Sequence, residues 1–120
     1  MIKTYSKENG NIGEGLACNY LNKDGFKIIE LNYKNKLGEI DIIAKEKDTI
    51  LFVEVKSRLS TKFGMPREAI NFYKQKKIIN VATVYLKQKK LINNTCIRFD
   101  CIEILGDKNE YKIEHITNIF

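Results

Sequence analysis

The stretch that most constrains this chain is "GEIDIIAKEKDTILFVEVKSR", residues 38–58. Two runs rich in Ile, Val, Leu and Phe flank Lys47-Asp48, and their length and composition predict paired strands over 38–46 and 49–57. Side chains alternate faces along a strand, so Leu51, Val53 and Val55 share one side while Glu54 and Lys56 share the other. With Lys47-Asp48 as a two-residue turn, position 46 faces 49, 44 faces 51, and Asp41 faces Glu54. An odd-length loop or a bulge would shift that pairing. Residues directly opposed across an antiparallel pair have Cβ atoms about 4.5–5.5 Å apart, where like charges destabilise. Ile40, Ile42, Ile50 and Phe52 surround the two acids, so the cluster is expected to be half-buried.

Two carboxylates held together need a cation or a shared proton. A divalent ion, Mg²⁺ or Mn²⁺, suits hard oxygen ligands and leaves positions for water and phosphate. Lys56 would lie beside it, able to orient or deprotonate a water or to neutralise charge developing on a phosphate. The plainer alternative is an ion network among Asp41, Glu54 and Lys56 on an exposed sheet face, which contributes about 0–1 kcal/mol.

The rest of the chain supplies elements for a layered domain. Residues 7–24 are expected to be helical, with Ile12, Leu16, Tyr20 and Leu21 as one apolar stripe and Gly25 as the stop. "FKIIELNY" (26–33) is a strand and "KNKLG" a turn. After the loop "RLSTKFGM", Pro66 suits the first position of a helix over 66–89. Its core side would be Ile70, Tyr73, Ile78, Val81, Ala82 and Tyr85. Strands at 95–105 and 111–119 close the chain around a turn at Gly106-Asp107. The order αβββαββ predicts an α/β fold, a mixed central sheet flanked by helices, with a parallel connection across the long helix.

Length and charge bound the function. At 120 residues the chain is expected to form one domain over 1–120, long enough for an ordinary core. The start "MIKTYSKENG" does not read as a signal peptide, and no apolar run reaches the ~20 residues of a membrane helix. Cys18, Cys96 and Cys101 form no CxxC pair, which predicts reduced thiols, a cytoplasmic setting and no zinc site. Net charge is +6, and residues 56–90 hold ten Lys or Arg against Glu68 alone. That concentration is the footprint of a polyanion partner, nucleic acid foremost; a solvated lysine-rich helix face is the alternative.

The motifs also carry a family resemblance. Asp41, followed after twelve residues by Glu54-Val55-Lys56, resembles the PD-(D/E)xK nuclease signature, with Ile40 in place of its proline. GNIGEGLA (10–17), "GEIDIIA", "FVEVKSR", "MPREAI" (65–70), the Lys/Gln-rich segment 74–77 and "RFDCIEI" (98–104) resemble the YraN family of small bacterial proteins along nearly the whole chain. The resemblance implies a restriction-endonuclease-like fold, related to archaeal Holliday-junction resolvases. It further implies a Mg²⁺- or Mn²⁺-dependent endonuclease acting on DNA. Junctions or branched DNA, flaps, single strands, duplexes and RNA all stay open as substrates, and junction resolution would call for a symmetric homodimer. Asp41 and Glu54 would be metal-binding acids, with the Val55 carbonyl as a further ligand and Lys56 as catalytic lysine. Glu14 would be the helix-borne acid, acting directly or through water. Gly13 and Gly15 beside it permit close backbone approach; an acid serving the helix dipole is the alternative for Glu14. Arg58, Lys62, Arg67, Lys74, Gln75, Lys76 and Lys77 are the expected nucleic-acid contacts. Asp100 is expected to serve a structural ion pair near Arg98. A non-catalytic nucleic-acid-binding module on the same fold, and a protein-interaction domain, are the competing functions.

Overall fold

The computed structural model describes residues 12–58, 72–91, 95–106 and 109–120. Two helices and five strands follow in the order α1 (Ile12–Lys23), β1 (Lys27–Asn35), β2 (Gly38–Glu46), β3 (Thr49–Arg58), α2 (Phe72–Gln88), β4 (Cys96–Gly106) and β5 (Tyr111–Ile116). The strands form one sheet in sequential order. β3 and β4 run parallel across α2, and every other neighbouring pair is antiparallel. This is the expected αβββαββ arrangement. The hairpin keeps its predicted register from the turn outward, with Glu46 opposite Thr49, Ala44 opposite Leu51 and Ile42 opposite Val53, where the ladder ends one step short of the expected Asp41–Glu54 pair. Lys47 in the turn takes a positive φ of 53°.

One helix covers each face of the sheet. Against α1 pack Ile42, Ala44, Leu51, Val53, Ile102 and Ile104, with Ala17, Cys18 and Leu21 from the helix. Against α2 pack Tyr33, Ile40, Ile43, Ile50 and Phe52, with Ile78, Val81, Ala82, Tyr85 and Leu86 from the helix. Each fully buried side chain of this size stabilises the fold by about 1.5–3 kcal/mol relative to leaving it in water. No helix among the described residues is long and apolar enough to span a membrane.

The helices depart from the sequence expectation in which face they bury. In α1, Ile12 is exposed and Leu16 and Tyr20 only partly buried, while Gly13, Glu14, Gly15, Ala17, Cys18 and Leu21 are buried. The reason is close approach: a Cβ on Gly13 would meet the Ser57 Cβ and Oγ on β3 at 2.8 Å. Small residues therefore face the sheet, and larger ones flank the contact. In α2, Tyr73, expected in the core or at its rim rather than as a base-stacking platform, is 88% exposed. The helical starts expected at 7 and 66, Pro66 included, lie outside the described residues. The last strand ends at Ile116 rather than 119.

Gly13→Ala tests that contact. Alanine favours a helix over glycine by about 1 kcal/mol, but overpacking against another element costs about 1–3 kcal/mol. The obstruction is a Cβ atom, which cannot swing aside as a long side chain would. A net loss of about 1–2 kcal/mol is expected in urea denaturation; a gain would mean that α1 stands off more loosely.

Candidate active site

The site lies where the pleat of β1 and β2 breaks. Ile42 and Ala44 face α1, whereas Ile43 and Ile40 both face α2, so the alternation slips at Asp41. The same slip occurs on β1 between Leu31, on the α1 side, and Tyr33, on the α2 side. Asn32 sits between them with a φ of 51°, a left-handed conformation that asparagine tolerates better than most residues. The continuous β2–β3 ladder stops at Ile42–Val53. One step further on, Val55 N–H donates to Asp41 Oδ2 at 2.8 Å. A part-buried amide at the end of the ladder is thus satisfied by a carboxylate rather than left open.

On β3, Ile50 and Phe52 face α2, so by alternation Glu54 and Lys56 face it too. Lys56 Nζ lies 3.3 Å from Glu54 Oε1, and Lys74 Nζ from α2 lies 3.4 Å from the same oxygen. Asp41, Glu54, Lys74, Lys77, Glu39 and Ile78 line a cleft of about 210 Å³. Asp41 and Glu54 therefore share one cleft and Lys56 pairs with Glu54, but the direct ladder pairing expected of positions 41 and 54 does not form, because the ladder ends at Ile42–Val53.

Charge in this cleft is unbalanced at Asp41. Burial first, then the negative charges of Glu54, Glu14 and Glu39, push its carboxyl up to about 7, against the opposing hydrogen bond from Val55. The lysines divide the remaining charge unequally. Burial and the neighbouring Lys74 ammonium lower the pKa of Lys56, with Glu54 opposing. The contact with Lys56 and the charge of Glu54 raise that of Lys74 despite its burial. Lys74 is the firmer cation of the two.

Glu14 comes to this cluster from the other side of the sheet. It is 2% exposed in the first turn of α1, and its Oε1 accepts from Asn32 Nδ2 at 2.9 Å. It raises the Asp41 carboxyl through its charge, yet it does not line the cleft. Among the described residues, no three Asp, Glu, His or Cys side chains gather as a ready metal cage.

The expected polyanion contacts divide. Lys74 enters the cleft, Lys77 lines its wall, and Lys76 is exposed. Gln75 is partly buried one position after Lys74. Arg58 closes β3; its side chain, and all of Lys62 and Arg67, fall outside the described residues.

Two residues escaped the sequence reading. Asn32 tethers Glu14, and its signal was an asparagine inside a strand, where it is disfavoured. Glu103 is buried on β4 opposite Lys56 in the parallel ladder, on the face that Phe99 marks as the α2 side. Its signal was an acid in the otherwise apolar run "CIEIL". Asp100 meets its structural expectation: Arg98 donates to it through Nε and Nη2, at 3.0 and 2.8 Å. His115, to which the sequence assigned no role, places Nε2 2.6 Å from Asp100 Oδ2.

Fold and cleft together define an α/β protein with a mixed central sheet and a cleft, lined by three acids and two lysines among the described residues, where the β2–β3 ladder ends. Comparison with known sequences gives the family. The profile of the uncharacterised protein family UPF0102 matches residues 13–104, and the chain belongs to that family. It is 55% identical over 115 residues to a UPF0102 protein of Clostridioides difficile (strain 630), covering 96% of this chain and 98% of that one. A UPF0102 protein of Caldanaerobacter subterraneus subsp. tengcongensis is 45% identical over 123 residues, covering all of both chains. One from Clostridium botulinum (strain Alaska E43 / Type E3) is 46% identical over 121 residues, covering 99% of this chain and 98% of that one.

Proposed function

We propose that the protein is a divalent-metal-dependent endonuclease hydrolysing phosphodiester bonds of DNA, as its resemblance to restriction-endonuclease-like proteins implies. The observation that carries this reading is that Asp41 and Glu54 line one cleft with Lys56 Nζ 3.3 Å from Glu54 Oε1, and that burial and then the charge of Glu54 push the Asp41 carboxyl up to about 7. Such a carboxyl reflects its burial first and the neighbouring negative charge of Glu54 second.

The donor set fits Mg²⁺ or Mn²⁺: the carboxylates of Asp41 and Glu54 and the carbonyl of Val55 are hard oxygens. The N–H and C=O of one strand residue point to the same edge, so the Val55 carbonyl shares the side on which its N–H meets Asp41. Glu14, behind the sheet, would contribute through water and through its charge. When bound, the ion would supply Lewis-acid stabilisation of phosphoryl oxygens.

The chain's own groups do the rest. Lys56, its amine more readily neutral than an ordinary lysine's, can accept a proton from an attacking water at Nζ. Lys74 keeps its charge and can stabilise the negative charge that gathers on the phosphate. Lys76 and Lys77, with Arg58, Lys62 and Arg67, would grip flanking phosphates, and binding should weaken steeply with salt.

Junction, flap, single-stranded and duplex DNAs incubated with Mn²⁺ test the reading. At least one should be cut, and Lys56→Ala should fold, bind DNA and cut at least about 10²-fold slower, the usual scale for losing an acid–base group. A second reading, a nucleic-acid-binding module without turnover, is favoured by one feature: both lysines already engage Glu54. Binding without cleavage on every substrate would select it.

A further inference from the structure

The strongest observation not used by the proposed chemistry is Tyr73. It stands in the first turn of α2 with 88% of its surface in water. The residue after it, Lys74, reaches Glu54 inside the cleft. Lys76 and Lys77, three and four positions on, are its neighbours on the helix surface, and Lys77 lines the cleft wall. A large aromatic ring thus projects at the rim of the candidate active site, bordered by ammonium groups suited to phosphate.

We infer that Tyr73 is a stacking platform for an unpaired base, so that the DNA held at this cleft has a single-stranded segment beside the scissile phosphate. The inference deepens the nuclease reading and rests on it. Its physical basis is that bases in a continuous duplex already stack on one another and cannot lie flat on an external ring. An unpaired base can do so, whatever its identity, because every base has a π-face. Lysines beside the ring hold the backbone while the ring holds the base, the combination that binds single strands without reading sequence.

The chain contains no tryptophan, so Tyr73→Trp introduces a single fluorescent reporter at the rim. Titrations in EDTA separate binding from cleavage; the probes are an oligothymidine, a flapped duplex and a blunt duplex. The tryptophan should be quenched saturably by the first two and hardly by the third. Tyr73→Ala should weaken binding of the oligothymidine and the flap by about 5–100-fold, the range for losing one stacked base. Blunt-duplex affinity should stay within about twofold, and Tyr73→Phe should retain wild-type preference. With this exposure the variants should fold normally, which circular dichroism checks. If Tyr73→Ala binds unpaired DNA as wild type does, or the tryptophan stays unquenched while anisotropy reports binding, the stacking role is overturned and the nuclease reading stands. If wild type binds none of the DNAs at low salt, both fall. Slow cutting by Lys56→Ala alongside unaltered Tyr73→Ala binding would separate the two ideas.

Discussion

Asp41→Asn is expected to make the protein more stable at neutral pH while abolishing cleavage. In the folded chain the Asp41 carboxyl is pushed up to about 7, from 3.8 in an open chain. The folded state therefore holds a proton that the unfolded state has released over that interval. Stability consequently falls as pH rises from about 4 to about 7, and the penalty is complete above 7. Three pKa units correspond to about 4 kcal/mol; partial solvent access reduces this to roughly 2–4 kcal/mol. Asparagine carries no charge, yet its Oδ1 can still accept the Val55 N–H. Urea titrations at pH 4 and pH 8 should give similar midpoints for the two proteins at pH 4 and a clear gain for Asp41→Asn at pH 8. A difference independent of pH would remove the electrostatic account of this cleft. Mn²⁺ should raise the melting temperature of wild type at pH 8 and leave that of Asp41→Asn unchanged, because only an ion held by the folded site stabilises it.

The second large effect concerns Asp100, which is fully buried and carries opposite pH behaviour. Burial by itself would raise its carboxyl, but hydrogen bonds from His115, Arg98 and the Asn118 N–H outweigh that and hold it below the ordinary range. Its contribution is thus present above pH ~4 and lost as pH falls further toward its lowered value. Asp100→Ala strands the Arg98 guanidinium, largely covered beside the Phe26 ring, and removes the partner of His115 Nε2. Breaking a buried pair from one side costs about 3–5 kcal/mol. Arg98→Ala with Asp100→Ala should lose less than the sum of the two single changes. A loss under about 1 kcal/mol for Asp100→Ala would mean that water already reaches this network. Because Asp100 lies outside the cleft, any surviving folded fraction should retain the metal response.

These two acids illustrate how far the sequence could be read. Both interrupt apolar strands, and both were legible as departures from a two-residue period. The pairing of Asp100 with nearby Arg98 was legible too, but the acids around Asp41, and His115 on Asp100 from 15 residues further along the chain, were not. Lys74 was readable only as one basic residue among many in its helix. Its place on Glu54 depends on the rotation of α2 about its own axis relative to β3. Tyr73 fitted the apolar side of that helix by spacing and yet faces water. The stripe of α1 erred in the same way, because glycine contact with β3 outranked the larger side chains flanking it.

What the sequence by itself determined is the hairpin register from the turn to Ile42–Val53, which brings Asp41 and Glu54 to the same end of the ladder. Over that span a two-residue turn and an unbroken alternation leave little freedom, since a one-residue slip would turn the apolar side chains to the wrong face. Only the tertiary structure decided where the strands part, which lysine enters the gap and what stands at its rim. Those outcomes depend on Asn32 in its left-handed conformation and on how two helices dock on opposite faces of one sheet. They are long-range packing results, and no local pattern encodes them.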